Sequence, residues 1–500
     1  MHGKYVLAID QGTTGTTVIL FDHQSEIVGK VYQEFTQYYP KPGWVEHDAL
    51  EIWAGTTQLL DGIFQETGVN PADVAAIGVT NQRETMVLWD RKTGEPVTRA
   101  IVWQCRRTAG ICDDLRRQGL EPLFKEKTGL ILDAYFSGTK LKWVFDNHPE
   151  LLARAKNGEL AFGTIDSWLI YKLTGGQRHI TDYSNASRTL LFNIADLTWD
   201  CDLLDALEIP QEILPEVAPS SDLYGHTVKL GQLPAGIPIA GAAGDQQAAL
   251  FGQTCFEPGT IKATFGTGAF ILMNTGSKLI SSDNGLVTTV AWGVDRKVQY
   301  ALEGSVFVAG AAVQWLRDEL GLIERAADTE KLALSVPDTN GVYFVPSFVG
   351  LGAPHWEPYV RGMMMGITRG VTKAHVARAT LEAIVYQTKD VVDVMATDAQ
   401  LPLTELKVDG GASVNNFICQ FLADLTNIQV QRPRIFETTA LGAAYLAGLA
   451  VGFWDSPEEI RKYWQADQVY RPAMRQAQRL RLAAGWDKAV ASAKSWVSDD

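Results

Sequence analysis

Cysteine is scarce in this chain and follows no recognisable pattern. The five residues, Cys105, Cys112, Cys201, Cys255 and Cys419, are odd in number and include no CxxC pair. Neither a disulfide framework nor a zinc site is expected, and the thiols should be reduced and buried. Long apolar runs are missing as well. The first, Tyr5–Ile9, meets Asp10 at once and is too short for a secretory leader. The long uncharged stretch Thr438–Trp454 carries three glycines and falls short of the roughly 20 apolar residues a membrane span needs. It reads as a buried helix packed closely through its small residues. Positive charge is also in deficit: 44 Lys and Arg against 58 Asp and Glu give a formal net charge of −14. Such a surface repels nucleic-acid phosphate and anionic membranes. A cytoplasmic protein with no nucleic-acid partner and no membrane insertion is expected, and the acceptor pattern Asn185-Ala186-Ser187 is read as chance. Familiar chemical signatures are absent too. There is no GxxxxGK[ST] loop, no GxGxxG turn, no HRD or DFG element, no HExxH and no GxSxG.

What remains is an ordinary globular composition, 46% hydrophobic and 20% charged, on a chain of 500 residues. That is longer than one core usually serves, so two α/β lobes are expected. No low-complexity linker separates them. The boundary is placed near 253, after a Gly- and Pro-rich surface loop at Leu223–Pro238, giving lobes 1–252 and 253–500. Two segments share one design. Lys4–Ile9 reads as a strand, Asp10–Thr16 as a turn and Val18–Phe21 as a strand; Thr260–Phe265, Gly266-Thr267-Gly268 and Ala269–Met273 repeat the arrangement. One such hairpin per lobe implies a duplicated architecture. Ile77–Thr80 and Ile237–Ala240 read as buried strands ending at Asn81-Gln82-Arg83-Glu84 and at Gly241-Ala242-Ala243-Gly244-Asp245, where α/β sheets place their chemistry. Helices are expected at Ala374–Ala396 and Asn415–Leu425.

The hairpin tips have the parts that hold a polyphosphate. Glycines let the backbone approach closely, Thr13, Thr14 and Thr267 bring hydroxyls and N–H groups, and Asp10 can hold a metal ion. One such tip would be as well explained by an ordinary hairpin turn. Two facing one another make a clamp, and Asp409-Gly410-Gly411-Ala412 adds a third glycine turn against which an adenosine could lie.

With these segments in hand, the chain resembles the FGGY family of carbohydrate kinases, within the actin-like and hexokinase-like ATPase superfamily, along essentially its whole length. The likeness is carried by Asp10-Gln11-Gly12-Thr13-Thr14, Asn81-Gln82-Arg83-Glu84-Thr85, Trp103-Gln104-Cys105-Arg106-Arg107, Tyr135-Phe136-Ser137-Gly138-Thr139-Lys140, Gly244-Asp245-Gln246-Gln247 and Gly350-Leu351-Gly352-Ala353-Pro354. The second and third segments point to the members that act on glycerol. The resemblance implies two ribonuclease H-like lobes with a catalytic cleft between them, and transfer of phosphate from ATP, with Mg2+, to glycerol. It assigns Asp245 as general base. Arg83, Glu84, Trp103, Tyr135, Asp245, Gln246 and Phe270 are implied to line the polyol pocket. Thr13, Thr14, Gly15, Thr267, Gly310, Gln314, Gly411 and Asn415 are implied to line the nucleotide site, with Asp10 on the metal.

On composition alone, Arg83-Glu84 would more often be a solvated pair, Trp103 and Phe270 core aromatics, and Asp245 an N-cap for a helix from Gln246. One departure stands out: Thr17 occupies a position where the family branch commonly carries arginine, which removes a charge from the phosphate grip. The loop before Pro238 lacks arginine, so sugar-phosphate inhibition is expected to be weak, and His226 beside it is expected to be inert. A homodimer or homotetramer is expected from the resemblance. The competing readings are a kinase of the same family for another small polyol or ketose, and a nucleotide-binding sensor without catalysis.

Overall fold

The computed structural model describes residues 3–496. Two twisted sheets dominate it, and each is built around one of the expected hairpins. In the first, Tyr5–Gln11 pairs antiparallel with Gly15–Asp22, which pairs antiparallel with Ile27–Glu34. On its other side Tyr5–Gln11 runs parallel to Val74–Asn81, which in turn runs parallel to Pro238–Gly244. The second sheet repeats this around Thr260–Phe265 and Ala269–Gly276. The first of these strands runs parallel to Glu405–Asp409, and Val430–Pro433 lies beyond it; the second runs antiparallel to Lys297–Val306. This is the duplicated architecture expected from the two hairpins, and it agrees with the two-lobe fold that the resemblance implies.

The first strands are apolar almost throughout because both faces are covered. Leu7, Ile9, Val18 and Leu20 point to a core beneath the helices Ala49–Thr67 and Ile165–Leu173. Val6, Ala8, Ile19 and Phe21 alternate with them and face Asp245–Gly252 and Thr438–Ala450. The last helix therefore comes from the second half of the chain to cover the first sheet. Its small residues allow the approach: a Cβ on Gly442 would lie 1.8 Å from the Ala248 carbonyl, and one on Gly78 would lie 2.1 Å from the Ala443 carbonyl. The expected buried helix is thus real, although it ends at Ala450 rather than Trp454. A second core lies between the other sheet and the helices Gly310–Asp318, Lys373–Ala399, Asn416–Thr426 and Gln476–Ser495. No helix among the described residues is long and apolar enough to cross a membrane.

Several expectations are corrected. The first turn is tighter than Asp10–Thr16, because Asp10 pairs with Thr17 and Gln11 with Thr16 in the ladder; cross-strand hydrogen bonding extends the strands into polar residues. The loop assigned to Leu223–Pro238 begins inside a strand, Ser221–His226, which pairs with Pro238–Gly244. Asp245 is the first residue of its helix, with Gly244 at the N-cap. Asn415 is an N-cap rather than a helical residue, its Oδ1 accepting from the Ile418 N–H at 3.3 Å. Four cysteines are buried thiols, but Cys201 is exposed, as a residue in the first turn of a surface helix can be. Asn185 is fully buried and bonded to Asn81 and Asp182, which leaves no room for a glycan.

Candidate active site

The carboxyl ends of three adjacent parallel strands bring their following residues together. Tyr5–Gln11 delivers Asp10, Val74–Asn81 runs on into Arg83 and Glu84, and Pro238–Gly244 runs on into Asp245. Arg83 is buried, not solvated, and is the hub. Its Nε lies 3.2 Å from Asp245 Oδ1. Nη1 donates to Glu303 Oε2 at 2.5 Å and to Gln247 Oε1 at 3.3 Å. Nη2 donates to Glu303 Oε1 at 2.9 Å and to the Tyr135 hydroxyl at 3.3 Å. Glu84 is buried too, in a left-handed backbone conformation, and accepts from Arg188 Nε at 2.7 Å. Burial pushes its carboxyl up, against the pull of Arg83 and Arg188. Burial alone would also raise Glu303, but Arg188 and Arg83 more than offset it and hold this carboxyl at about 2.

Asp245 differs from these neighbours. Its side chain is 27% exposed, against 1% for Glu84 and 0% for Glu303. Desolvation raises its carboxyl while Arg83 and Lys262 draw it down. An aromatic wall stands beside it. The Trp103 and Tyr135 rings are 5.6 Å apart edge to face, Trp103 and Phe270 are 6.2 Å apart, and the Arg83 guanidinium lies 5.8 Å from the Phe270 ring. All three aromatics are half-buried, as a pocket wall and not a core requires. Gln246 faces the same region from the next position, its Oε1 accepting from Lys262 Nζ at 2.5 Å.

The two hairpin tips share an electrostatic design. In the first, the carbonyls are tied into the fold: Gln82 donates to Gly12, Gln37 to Thr13 and Phe35 to Thr14. Among the described residues, no acceptor takes the N–H of Thr13 or Thr14. The second tip behaves alike. Gly266 and Thr267 give their carbonyls to the N–H groups of Ala309, Gly310 and Ala311, and the N–H groups of Thr267 and Gly268 have no partner among the described residues. Free donors at both tips with their carbonyls occupied make an anion site. The Thr13 hydroxyl accepts from Trp103 Nε1 at 2.9 Å, which joins the first tip to the aromatic wall.

Of the other residues expected at a nucleotide site, Gly310 lies against the second tip, and Gly411 follows Gly410, which does too. A Cβ on Gly310 would lie 2.6 Å from the Gly266 carbonyl, and one on Gly410 would lie 2.5 Å from that of Phe265, so both turns press on the hairpin. Gln314 and Gly411 are exposed. Asn415 is occupied as a helix cap and donates to the Thr329 hydroxyl at 3.4 Å. Gly15 is buried, and its missing side chain makes room for the Tyr32 ring. No hydrogen bond among the described residues joins the first tip to the second.

Asp10 lies near the end of the strand Tyr5–Gln11, within electrostatic reach of Asp245. Burial, with the charges of Asp245 and Glu437 adding to it, pushes its carboxyl up to about 8, against a smaller pull from Lys30. No donor among the described residues bonds to it. A carboxylate with no donor beside another carboxylate suits a divalent cation. No cluster of three metal-ligating side chains exists among the described residues, so such an ion would take most of its ligands from phosphate and water.

Sequence reasoning missed Arg188, Glu303 and Lys262. Each is a lone charge among uncharged neighbours: Glu303 within the strand Lys297–Val306, Lys262 within Thr260–Phe265, and Arg188 between Ser187 and Thr189 ahead of Leu190-Leu191. All three are fully buried. A buried lone charge needs a partner, and that was the readable signal. Burial lowers the Lys262 ammonium to about 8.

Comparison with known proteins follows the same lines. Residues 5–252 match the N-terminal domain of the FGGY family of carbohydrate kinases and residues 261–451 its C-terminal domain. The chain is 58% identical over 496 residues to a glycerol kinase of Caldanaerobacter subterraneus subsp. tengcongensis, covering 99% of this chain and 100% of that one. It is 58% identical over 499 residues to a glycerol kinase of Symbiobacterium thermophilum, covering 100% of both. A crystal structure of Plasmodium falciparum glycerol kinase with ADP superposes with a TM-score of 0.93 at 36% identity, over 98% of each chain.

Proposed function

Since the chain belongs to the FGGY family of carbohydrate kinases, we propose that it transfers the γ-phosphoryl group of ATP to glycerol, giving sn-glycerol 3-phosphate. One observation carries the assignment of roles. Of the three carboxylates around Arg83, only Asp245 is partly exposed, so it alone can meet a substrate hydroxyl as a base. It lies within electrostatic reach of Asp10 at the base of the first tip and of Lys262, which donates to Thr264 at the base of the second. A hydroxyl beside it would face a phosphate held by both tips.

Glycerol would set its hydroxyls against Arg83, Glu84, Tyr135, Asp245 and Gln246, with its C–H edge on Trp103 and Phe270. Thr13, Thr14 and Gly15 would receive phosphate oxygens from one lobe, residues 1–252. Thr267, Gly310 and Gln314 would receive them from the other, residues 253–500, with adenosine against Gly411 and Asn415. Asp10 would hold Mg2+, which would supply charge neutralisation during transfer. Asp245 takes the hydroxyl proton as the oxygen attacks in line. Closure of the lobes would exclude water and suppress ATP hydrolysis. The reaction is that of a cytoplasmic enzyme.

A coupled ADP-release panel of glycerol, erythritol, xylulose and gluconate tests this directly. Glycerol is expected to give the highest kcat/KM. A preference for xylulose or gluconate would shift the substrate to a ketose or sugar acid, and no ADP release with any of the four would leave a nucleotide sensor. Neither alternative is favoured, since full-length relatives at 58% identity are glycerol kinases.

A further inference from the structure

Arg83 and Glu84 do not stand alone. Arg83, Glu303, Arg188 and Glu84 close a ring of four buried charges. Glu303 takes both Arg83 terminal nitrogens at 2.5 and 2.9 Å and Arg188 Nη2 at 3.0 Å. Arg188 Nε holds Glu84 at 2.7 Å, and Arg83 Nε completes the circuit 3.8 Å from Glu84. The Arg188 guanidinium lies 5.2 Å from the Phe136 ring and 5.6 Å from that of Tyr135. Three members come from the first half of the chain. Glu303 alone comes from the second sheet.

We propose that Glu303 is a positioning residue for the polyol site, acting from the second sheet through Arg83 and, by way of Arg188, through Glu84. The inference rests on the polyol reading above. A buried ion ring is a poor source of stability, because desolvation offsets most of the attraction and apolar residues would serve as well. Its geometry has another use. The contacts of Arg83 are unequal: the two-pronged pair with Glu303 is short, whereas the hydrogen bond to Tyr135 is 3.3 Å and Nε is in ion-pair range of Asp245 at 3.2 Å without a hydrogen bond. The tight end fixes the guanidinium. The loose end lies on pocket groups, where a substrate hydroxyl can exchange in. Without Glu303, the nearest carboxylate for Arg83 is Asp245, and the guanidinium would swing onto the base. Glu84 would lose the partner that orients Arg188. The pocket is therefore complete only when the second sheet is docked against the first.

The experiment compares wild type with Glu303→Gln and Glu303→Asp, measuring glycerol affinity by calorimetry without ATP and KM for glycerol and for ATP separately. Glu303→Gln is expected to weaken glycerol binding and raise its KM at least about tenfold, because it removes one partner of a buried charge pair, while KM for ATP stays within about twofold. Glu303→Asp is expected to fall between. If Glu303→Gln does not fold, the charge-balanced double variant E303Q/R188Q takes its place, with the same weakening expected. Wild-type glycerol affinity in a folded variant, or equal loss for both substrates, overturns the inference. A purely structural role would lower the active fraction and the thermal midpoint and leave both KM values unchanged. Failure of the wild type to use glycerol strikes the substrate reading; variants matching an active wild type strike only the role of Glu303.

Discussion

The two hairpins have the same topology and carry their acids in opposite places. In the first sheet Asp10 sits on the hairpin strand, opposite Thr80 on the parallel neighbour. In the second, Thr264 sits on the hairpin strand, opposite Asp409 on the neighbour. The consequences differ. Asp409 is buried and receives hydrogen bonds from Gln253 at 2.8 Å and the Thr438 hydroxyl at 2.7 Å, both from segments that bind the halves together. Asp10 has no donor among the described residues and faces Asp245 and Glu437. One acid is structural because its bonds are made; the other is poised because they are not. Duplication supplied two equivalent frames, and hydrogen-bond satisfaction divided the work between them.

The largest test of that division is Asp245→Asn. Turnover should fall about 10²–10⁴-fold, the usual worth of a positioned base, while calorimetry shows glycerol binding within a few-fold of wild type. Asp409→Ala should act differently. It orphans two buried donors at about 1–3 kcal/mol each, so urea unfolding should show a large loss of stability, with turnover per folded molecule much less affected. Loss of turnover at unchanged stability would break the contrast.

Asp10→Asn gives a pH signature. An acid whose folded pKa is raised, here from the usual 3.8 to about 8, costs stability. The cost is absent below about 4, grows as pH rises, and is complete above about 8. The asparagine variant without nucleotide should therefore melt higher than wild type, clearly at pH 8.5 and not at pH 4, while its Mg-ATP turnover is impaired. An equal difference at both pH values would remove the poised acid. The smallest effect belongs to Thr17→Arg. Thr17 pairs with Asp10 and Tyr32 near the first tip. A partly exposed arginine there should lower KM for ATP by no more than about fivefold, and an unchanged KM would show that this position has no part in the phosphate grip.

Much of the fold was legible in the sequence. The apolar strands before each glycine turn, the small-residue helix Thr438–Ala450 and the polar residues at strand ends all announce themselves, since period, turn chemistry and burial act on neighbouring residues. The groups around Arg83 were named by the family resemblance, since residue type alone favoured a solvated Arg83-Glu84 pair and core aromatics at Trp103 and Phe270. Arg188 and Glu303 were not named, although a charge among uncharged residues is a visible sign. Their partners lie 104 and 220 residues away along the chain, and no local rule pairs them.

By itself the amino-acid order determined two like α/β frames and a pair of glycine- and threonine-rich hairpin tips, because these follow from short-range periodicity and backbone freedom. Only the tertiary structure decided which carboxylate stays partly exposed, which is neutralised in a buried ring and which is held as a strut. Those outcomes depend on burial and on partners delivered from the opposite half, and a charge's energy is set by what surrounds it in space.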